Sequence, residues 1–134
     1  MSKSILLIIL LFKFYVCQKK EIPEIFEINP KQIAETEITV QAGKEFCIKI
    51  YCIGTSYVLL NKNENNDSIT LIKTDSITEH YEEENIGGRR SHLLYYFKAN
   101  SITKEPKLLK YTDTYSYLKQ SNPIPKLLIK VNVN

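Results

Sequence analysis

Cys47, Cys52, His80 and His92 are the side chains best suited to covalent chemistry, and their spacing decides how far that goes. A thiol becomes a nucleophile when a base takes its proton and a third group orients that base. Cys47 falls at an outward position of an alternating segment and Cys52 at an inward one, and neither sits in a motif that lowers a thiol pKa. Two thiols and two imidazoles are a zinc donor set in principle, but no C-x-x-C or H-x-x-x-H spacing is present. The expectation is one core thiol, one surface thiol and two surface imidazoles, with no metal and no cofactor. Glu82, Glu83 and Glu84 read as a solvated acidic loop. The stretch IGGRRSHLLYYF, residues 86–97, is not a phosphate loop: no strand–loop–helix pattern surrounds it and no Gly-Lys-Ser/Thr follows. On its chemistry the chain reads as a binding module rather than an enzyme.

Residues 1–18, MSKSILLIILLFKFYVCQ, have the basic start and apolar run of a secretory signal peptide. The run is short against the roughly 20 residues of a membrane span. Loss of Lys3 and Lys13 with the leader lowers the formal net charge from +3 to +1. A nearly neutral domain has no electrostatic pull on nucleic acid, so no nucleic-acid partner is expected. The leader directs the chain to the secretory pathway, for an extracellular, lysosomal or vacuolar destination. Asn66-Asp67-Ser68 is an N-glycosylation sequon, which makes Asn66 a candidate acceptor. Five residues of extended chain hold Cys47 and Cys52 roughly 16 Å apart, against about 5.5 Å between the Cα atoms of a disulfide. The domain must therefore hold together by its apolar core.

Residues 19–36 carry Pro23 and Pro30 and read as a poorly ordered, extended lead-in. From Glu37 the apolar period becomes two. Ile38 and Val40 alternate with polar residues, Ala42-Gly43-Lys44 turns the chain, and Phe46, Ile48 and Ile50 continue on the same face. Shorter runs at 58–60 and 69–72 follow. Beyond Gly87 and Gly88, Leu93, Tyr95, Phe97 and Ala99 form one face of a strand. Leu109 and Tyr111 keep the period, and residues 114–126, with Pro123 and Pro125, read as a loop. Leu127, Ile129, Val131 and Val133 close the chain with its clearest alternation. No segment after Gln18 sustains a period of 3.6. About seven short strands imply an all-β, antiparallel β-sandwich over residues 37–134.

In this order the motifs resemble those of the chagasin family of cysteine-peptidase inhibitors. Residues 38–50, ITVQAGKEFCIKI, resemble that family's opening strand, glycine turn and second strand. Its first contact loop, Asn-Pro-Thr-Thr-Gly-Tyr, aligns with residues 52–59, CIGTSYVL, where Thr55 and Tyr57 match and Leu59 stands in the place of a usual Trp. Its Gly-x-Gly-Gly loop aligns with Asn85–Arg90, matching at Gly87 and Gly88. Its Arg-Pro-Trp loop falls on Asp113-Thr114-Tyr115, or with a two-residue shift on Tyr115-Ser116-Tyr117, and neither register supplies the Arg or the Pro.

The resemblance implies an Ig-like sandwich that blocks papain-family peptidases reversibly, as a monomer, with three loops at one end. Gly54, Thr55, Ser56 and Tyr57 would form the wedge. Gly87, Gly88 and Arg89 would lie along the cleft wall, and Asp113, Thr114, Tyr115 and Tyr117 would supply the third contact. The other function class compatible with the residues is a secreted Ig-like adhesion or surface-binding domain with no protease target.

Overall fold

Strand β8 (Leu127–Val133) shows how alternation builds this fold: Leu127, Ile129, Val131 and Val133 are buried while Leu128, Lys130 and Asn132 stay half exposed. Each fully buried aliphatic side chain contributes about 1.5–3 kcal/mol in apolar surface removed from water. The computed structural model describes residues 20–64, 67–79 and 90–134. Among these residues the other strands are β1 (Glu24–Ile28), β2 (Glu35–Val40), β3 (Glu45–Ile53), β4 (Tyr57–Leu59), β5 (Ile69–Glu79), β6 (Arg90–Ala99) and β7 (Lys107–Asp113). A short helix, α1 (Thr114–Lys119), follows β7. The strands form two four-stranded sheets, in the orders β1-β3-β6-β5 and β2-β8-β7-β4.

Between the sheets lies one apolar core. Phe46 of β3 stacks on Phe97 of β6 with ring centroids 5.3 Å apart, and Tyr95 meets Tyr111 edge-on at 5.1 Å. Tyr111 is fully buried and its hydroxyl has no hydrogen-bond partner among the described groups. A buried orphan of this kind costs about 1–3 kcal/mol. None of the described helices is long and apolar enough to cross a membrane. No cluster of three His, Cys, Asp or Glu among the described residues could hold a metal ion.

Four features depart from the reading of the sequence. The lead-in at 19–36 supplies an ordered strand: β1 pairs with β3 from Glu24 opposite Phe46 to Ile28 opposite Ile50. Its contribution to the core comes from Phe26, which meets Phe46 edge-on, and from buried Ile28, while Ile22 and Ile25 are exposed. Ile22, Ile25 and Ile28 fall three apart in sequence, but the strand's inward period is two, through Phe26 and Ile28.

The sandwich is also not wholly antiparallel, because β1 runs parallel to β3 and β2 runs parallel to β8. The connection between β1 and β2 passes from one sheet to the other, so each strand joins its sheet at an outer edge.

Residues 114–119, expected to be loop, form α1. Cys47, expected at the surface, is fully buried although it points away from the core. It sits on a central strand between Ile25 of β1 and Tyr96 of β6, and those neighbours cover it. Burial raises its pKa, and raises that of Cys52 to about 11, so both thiols are held protonated.

A register shift between Leu71 and Lys73 of β5 places Ile72 in a bulge. Downstream, Lys73, Asp75 and Ile77 stand opposite Tyr96, Leu94 and His92.

Candidate functional site

Strand register decides which connections share an end of the sandwich. β3 finishes at Ile53, opposite Arg90, the first residue of β6. Arg90 in turn faces Glu79, the last residue of β5. In the other sheet Tyr57, at the start of β4, faces Asp113, at the end of β7. Connections 54–56 and 114–126, the first and third, therefore leave the scaffold at one pole, where β5 also ends and β6 begins. A backbone bond joins the first and third by continuing the β4–β7 ladder, with Thr114 N–H donating to the Ser56 carbonyl at 2.9 Å. Of the second connection only the flanking strand ends are described; Gly87, Gly88 and Arg89 lie outside the described residues, as do His80, Asn66 and residues 1–18.

The first connection is short because Gly54 turns the chain with φ +67, and a Cβ there would meet nothing within 4 Å. The glycine is thus required by backbone conformation and not by crowding. Gly54 and Ser56 are exposed and Thr55 is half-buried. Tyr57 packs against the core and its carbonyl accepts a hydrogen bond from the Tyr95 hydroxyl at 2.8 Å. Burial raises the Tyr57 pKa. Tyr57 therefore anchors the base of the connection, and the tip is Gly54-Thr55-Ser56.

The third connection is held by Asp113. Its carboxylate accepts the Ser116 N–H at 2.9 Å, capping α1, and the Ser116 hydroxyl at 2.8 Å. Lys126, at the far end of the same connection, pairs with Oδ2, the oxygen that also accepts the Ser116 hydroxyl. The Lys126 ammonium and then the Ser116 amide hold the Asp113 carboxyl well below the usual carboxylate range.

Thr112 hydroxyl donates to the Ile124 carbonyl at 3.1 Å, and Lys126 N–H donates to the Tyr111 carbonyl at 2.8 Å. Both ends of the connection are therefore fastened to β7. Asp113 is buried and turned inward, and Thr114 is half-buried. The side chains left outside are Tyr115, 71% exposed, and Tyr117, 46% exposed, together with Leu118 at 73% and Ile124 at 74%.

Leu118 and Ile124 were not singled out by the sequence reading. Their signal was present but faint: Asp113 is a good cap, residues 114–119 contain no Pro or Gly, and Lys119 suits a helix end. A hollow of about 660 Å³, lined by residues including Lys62, Asp67 and Asn100, lies toward the other end, where β5 begins and β6 stops.

No protein-family model matches the chain, and no curated protein matches it in sequence. Solved structures match it in shape. The cysteine protease inhibitor EhICP2 from Entamoeba histolytica superposes with a TM-score of 0.53 at 12% identity, over 85% of this chain and 99% of that one. Amebosin gives a TM-score of 0.54 at 13% identity, over 84% and 100%. PbICP-C, solved in complex with falcipain-2, gives 0.54 at 12% identity, over 84% and 100%. The fold is that of chagasin-family cysteine protease inhibitors. At these identities the likeness is one of fold, and it spans nearly the whole of each matched structure.

Proposed function

We propose that the chain inhibits papain-family cysteine peptidases, reversibly and without turnover, by seating this pole in the active-site cleft. The observation that carries the reading is the shared pole itself: connections 54–56 and 114–126, with the end of β5 and the start of β6, lie at one end of a scaffold whose fold is shared with cysteine protease inhibitors. Gly54-Thr55-Ser56 is narrow enough for its backbone to approach a catalytic thiol and imidazole closely. Its base is fixed by the Tyr95–Tyr57 and Thr114–Ser56 hydrogen bonds, so little ordering entropy is lost on docking. Gly87, Gly88 and Arg89 take the cleft wall, by main-chain pairing and a charge-assisted bond. Tyr115 and Tyr117 are the aromatic anchors, and Thr114 and Asp113 serve by holding them. The protein works as a monomer in the secretory pathway or a lumen it feeds, after removal of residues 1–18.

Titration of purified protein against active-site-calibrated papain tests this. The expected result is stoichiometric, dilution-reversible loss of activity with the inhibitor chain uncut. Undiminished peptidase activity at micromolar protein would overturn the reading in favour of an adhesion domain.

A further inference from the structure

An open sheet edge pairs with any extended chain through its free N–H and C=O groups, so natural edges are short or blunted. Three of the four edge strands here are short: β1, β2 and β4 have five, six and three residues. The fourth, β5, has eleven, and it pairs with β6 on one side only. The bulge at Ile72 blunts its first part. From Lys73 onward the ladder to β6 is regular, and residues 72–78 are all exposed. Lys73 and Asp75, opposite Tyr96 and Leu94, share the outer face of the sheet, while Thr74 and Ser76, opposite Tyr95 and Leu93, share the inner one. On that inner face Thr74, Ser76, Leu93 and Tyr95 line an open notch of about 360 Å³. Lys73 lies over the Tyr96 ring at 4.8 Å, and Asp75 accepts the Ser76 N–H at 2.8 Å. Among the described residues neither forms an ion pair.

We propose that this edge takes the β5 strand of a second copy of the chain, antiparallel and about a two-fold axis through Thr74, so that the two sheets continue into one. Charge complementarity selects both the occupant and the register. Residues directly opposite in an antiparallel pair lie on the same face, so the axis must pass through a residue. An axis at Lys73 or at Asp75 sets a like charge against itself, which is destabilising. An axis at Ser76 sets Asp75 against the second copy's Ile77. An axis at Thr74 sets Lys73 against the second copy's Asp75, and by symmetry does so twice. The same register places Ile72, 47% exposed, opposite the second copy's Ser76, at the mouth of the notch. An unrelated strand would meet both charges without matching them. Such a two-fold contact closes at two chains. With about five paired residues a side it falls at or below the roughly 1,200 Å² at which specific interfaces begin. The dimer is therefore weak, with a Kd on the order of 100 µM, and one chain remains the unit that docks at assay dilution. The wedge is left clear, since β6 stands between β5 and β3. The proposal stands apart from the inhibitor reading.

Sedimentation equilibrium of the purified protein, from micromolar to millimolar concentration, tests this alongside Asp75→Lys and the charge-swapped Lys73→Asp/Asp75→Lys. Both positions are exposed, so each variant should melt with wild type. The expected result is a wild-type monomer–dimer equilibrium that weakens with added salt. Asp75→Lys sets lysine against lysine twice and should raise Kd about tenfold or more. The swapped variant keeps the net charge of wild type and re-forms both opposite-charge pairs, so its Kd should return to within about threefold of wild type. A wild-type chain that stays monomeric at 1 mM, or that associates without stopping at two, overturns the proposal. So does a dimer that Asp75→Lys leaves unchanged, or one that the swap fails to restore in a folded variant, because either places the contact elsewhere. Papain inhibition by Asp75→Lys separates the two readings: it should match wild type whether or not the dimer forms.

Discussion

At the pole away from the candidate site the chain bonds to itself. Ala42 N–H donates to the Asn134 carbonyl at 2.8 Å, Gly43 N–H to Ala99 at 2.8 Å, Asn100 N–H to Ser68 at 2.7 Å and Thr103 N–H to Val133 at 3.0 Å. The Lys98 ammonium donates to the Gly43 carbonyl at 2.8 Å, and Lys44 pairs with Glu21 at 2.6 Å. These bonds join neighbouring turns and termini in a closed layer. At the candidate pole the bonds are placed differently. They gather at the bases of the connections, at Asp113, Thr112 and Tyr57, and the tips at Gly54, Ser56, Tyr115 and Leu118 face solvent. One pole spends its polar groups on closure. The other uses them to stiffen projections, which is what the proposed docking role requires.

The largest effect should come from the tip. Replacing Gly54-Thr55-Ser56 with Leu-Phe-Leu should raise the inhibition constant for papain more than a hundredfold, measured by titration. Nothing lies within 4 Å of the Gly54 Cβ position, so the added bulk points outward and the fold should survive, with a local cost of about 1–2 kcal/mol for a left-handed non-glycine residue. Retained inhibition in a folded variant would break the distinction between poles.

An intermediate effect is expected at the base. Asp113→Asn removes the Lys126 ion pair and weakens the cap on α1. It should lower stability by about 1 kcal/mol, read by thermal melts, and weaken inhibition about tenfold through a looser helix. The sign with pH follows from the depressed carboxyl. Its stabilisation is fully present above the unfolded value near 3.9 and is lost only as pH falls through the lower folded one. The difference between wild type and variant should therefore be constant from pH 7 to pH 5 and shrink below about pH 4. A gap that closed already at pH 6 would exclude this origin.

The smallest functional effect belongs to the far pole. Gly43 has φ +85 with open space around its Cβ position, so Gly43→Ala should cost about 1 kcal/mol, or roughly 4–8 °C in melting temperature. The inhibition constant should not move. A weakened constant at equal folded fraction would show that the poles are mechanically coupled.

How much of this was legible depends on where each signal lies. β8 and β3 declare themselves because their alternation is local and their inward faces are almost fully buried. The grouping of the loops came from the family resemblance, and the register of β4 on β7 brings the first and third connections together. β1 was not, because it is five residues long, contributes only Phe26 and Ile28 to the core, and pairs with a strand some twenty residues downstream. α1 is too short for a helical period to emerge, and its cap depends on Lys126, which is distant in sequence. Cys47 misled for a related reason. Parity tells which face a side chain takes but not whether strands on both sides will cover that face. Asp113, offered for contact, holds the connection from beneath, whereas Leu118 and Ile124, not offered, stand outside.

The parallel run of β1 beside β3 has a practical outcome for display. Glu24 begins β1 level with Phe46, Glu21 is pinned there by Lys44, and Asn134 N–H bonds to Val40 at the same end. Both ends of the described chain thus leave opposite the candidate pole. A tag or a bead attached at either end of the described chain would point the opposite pole outward, into the medium.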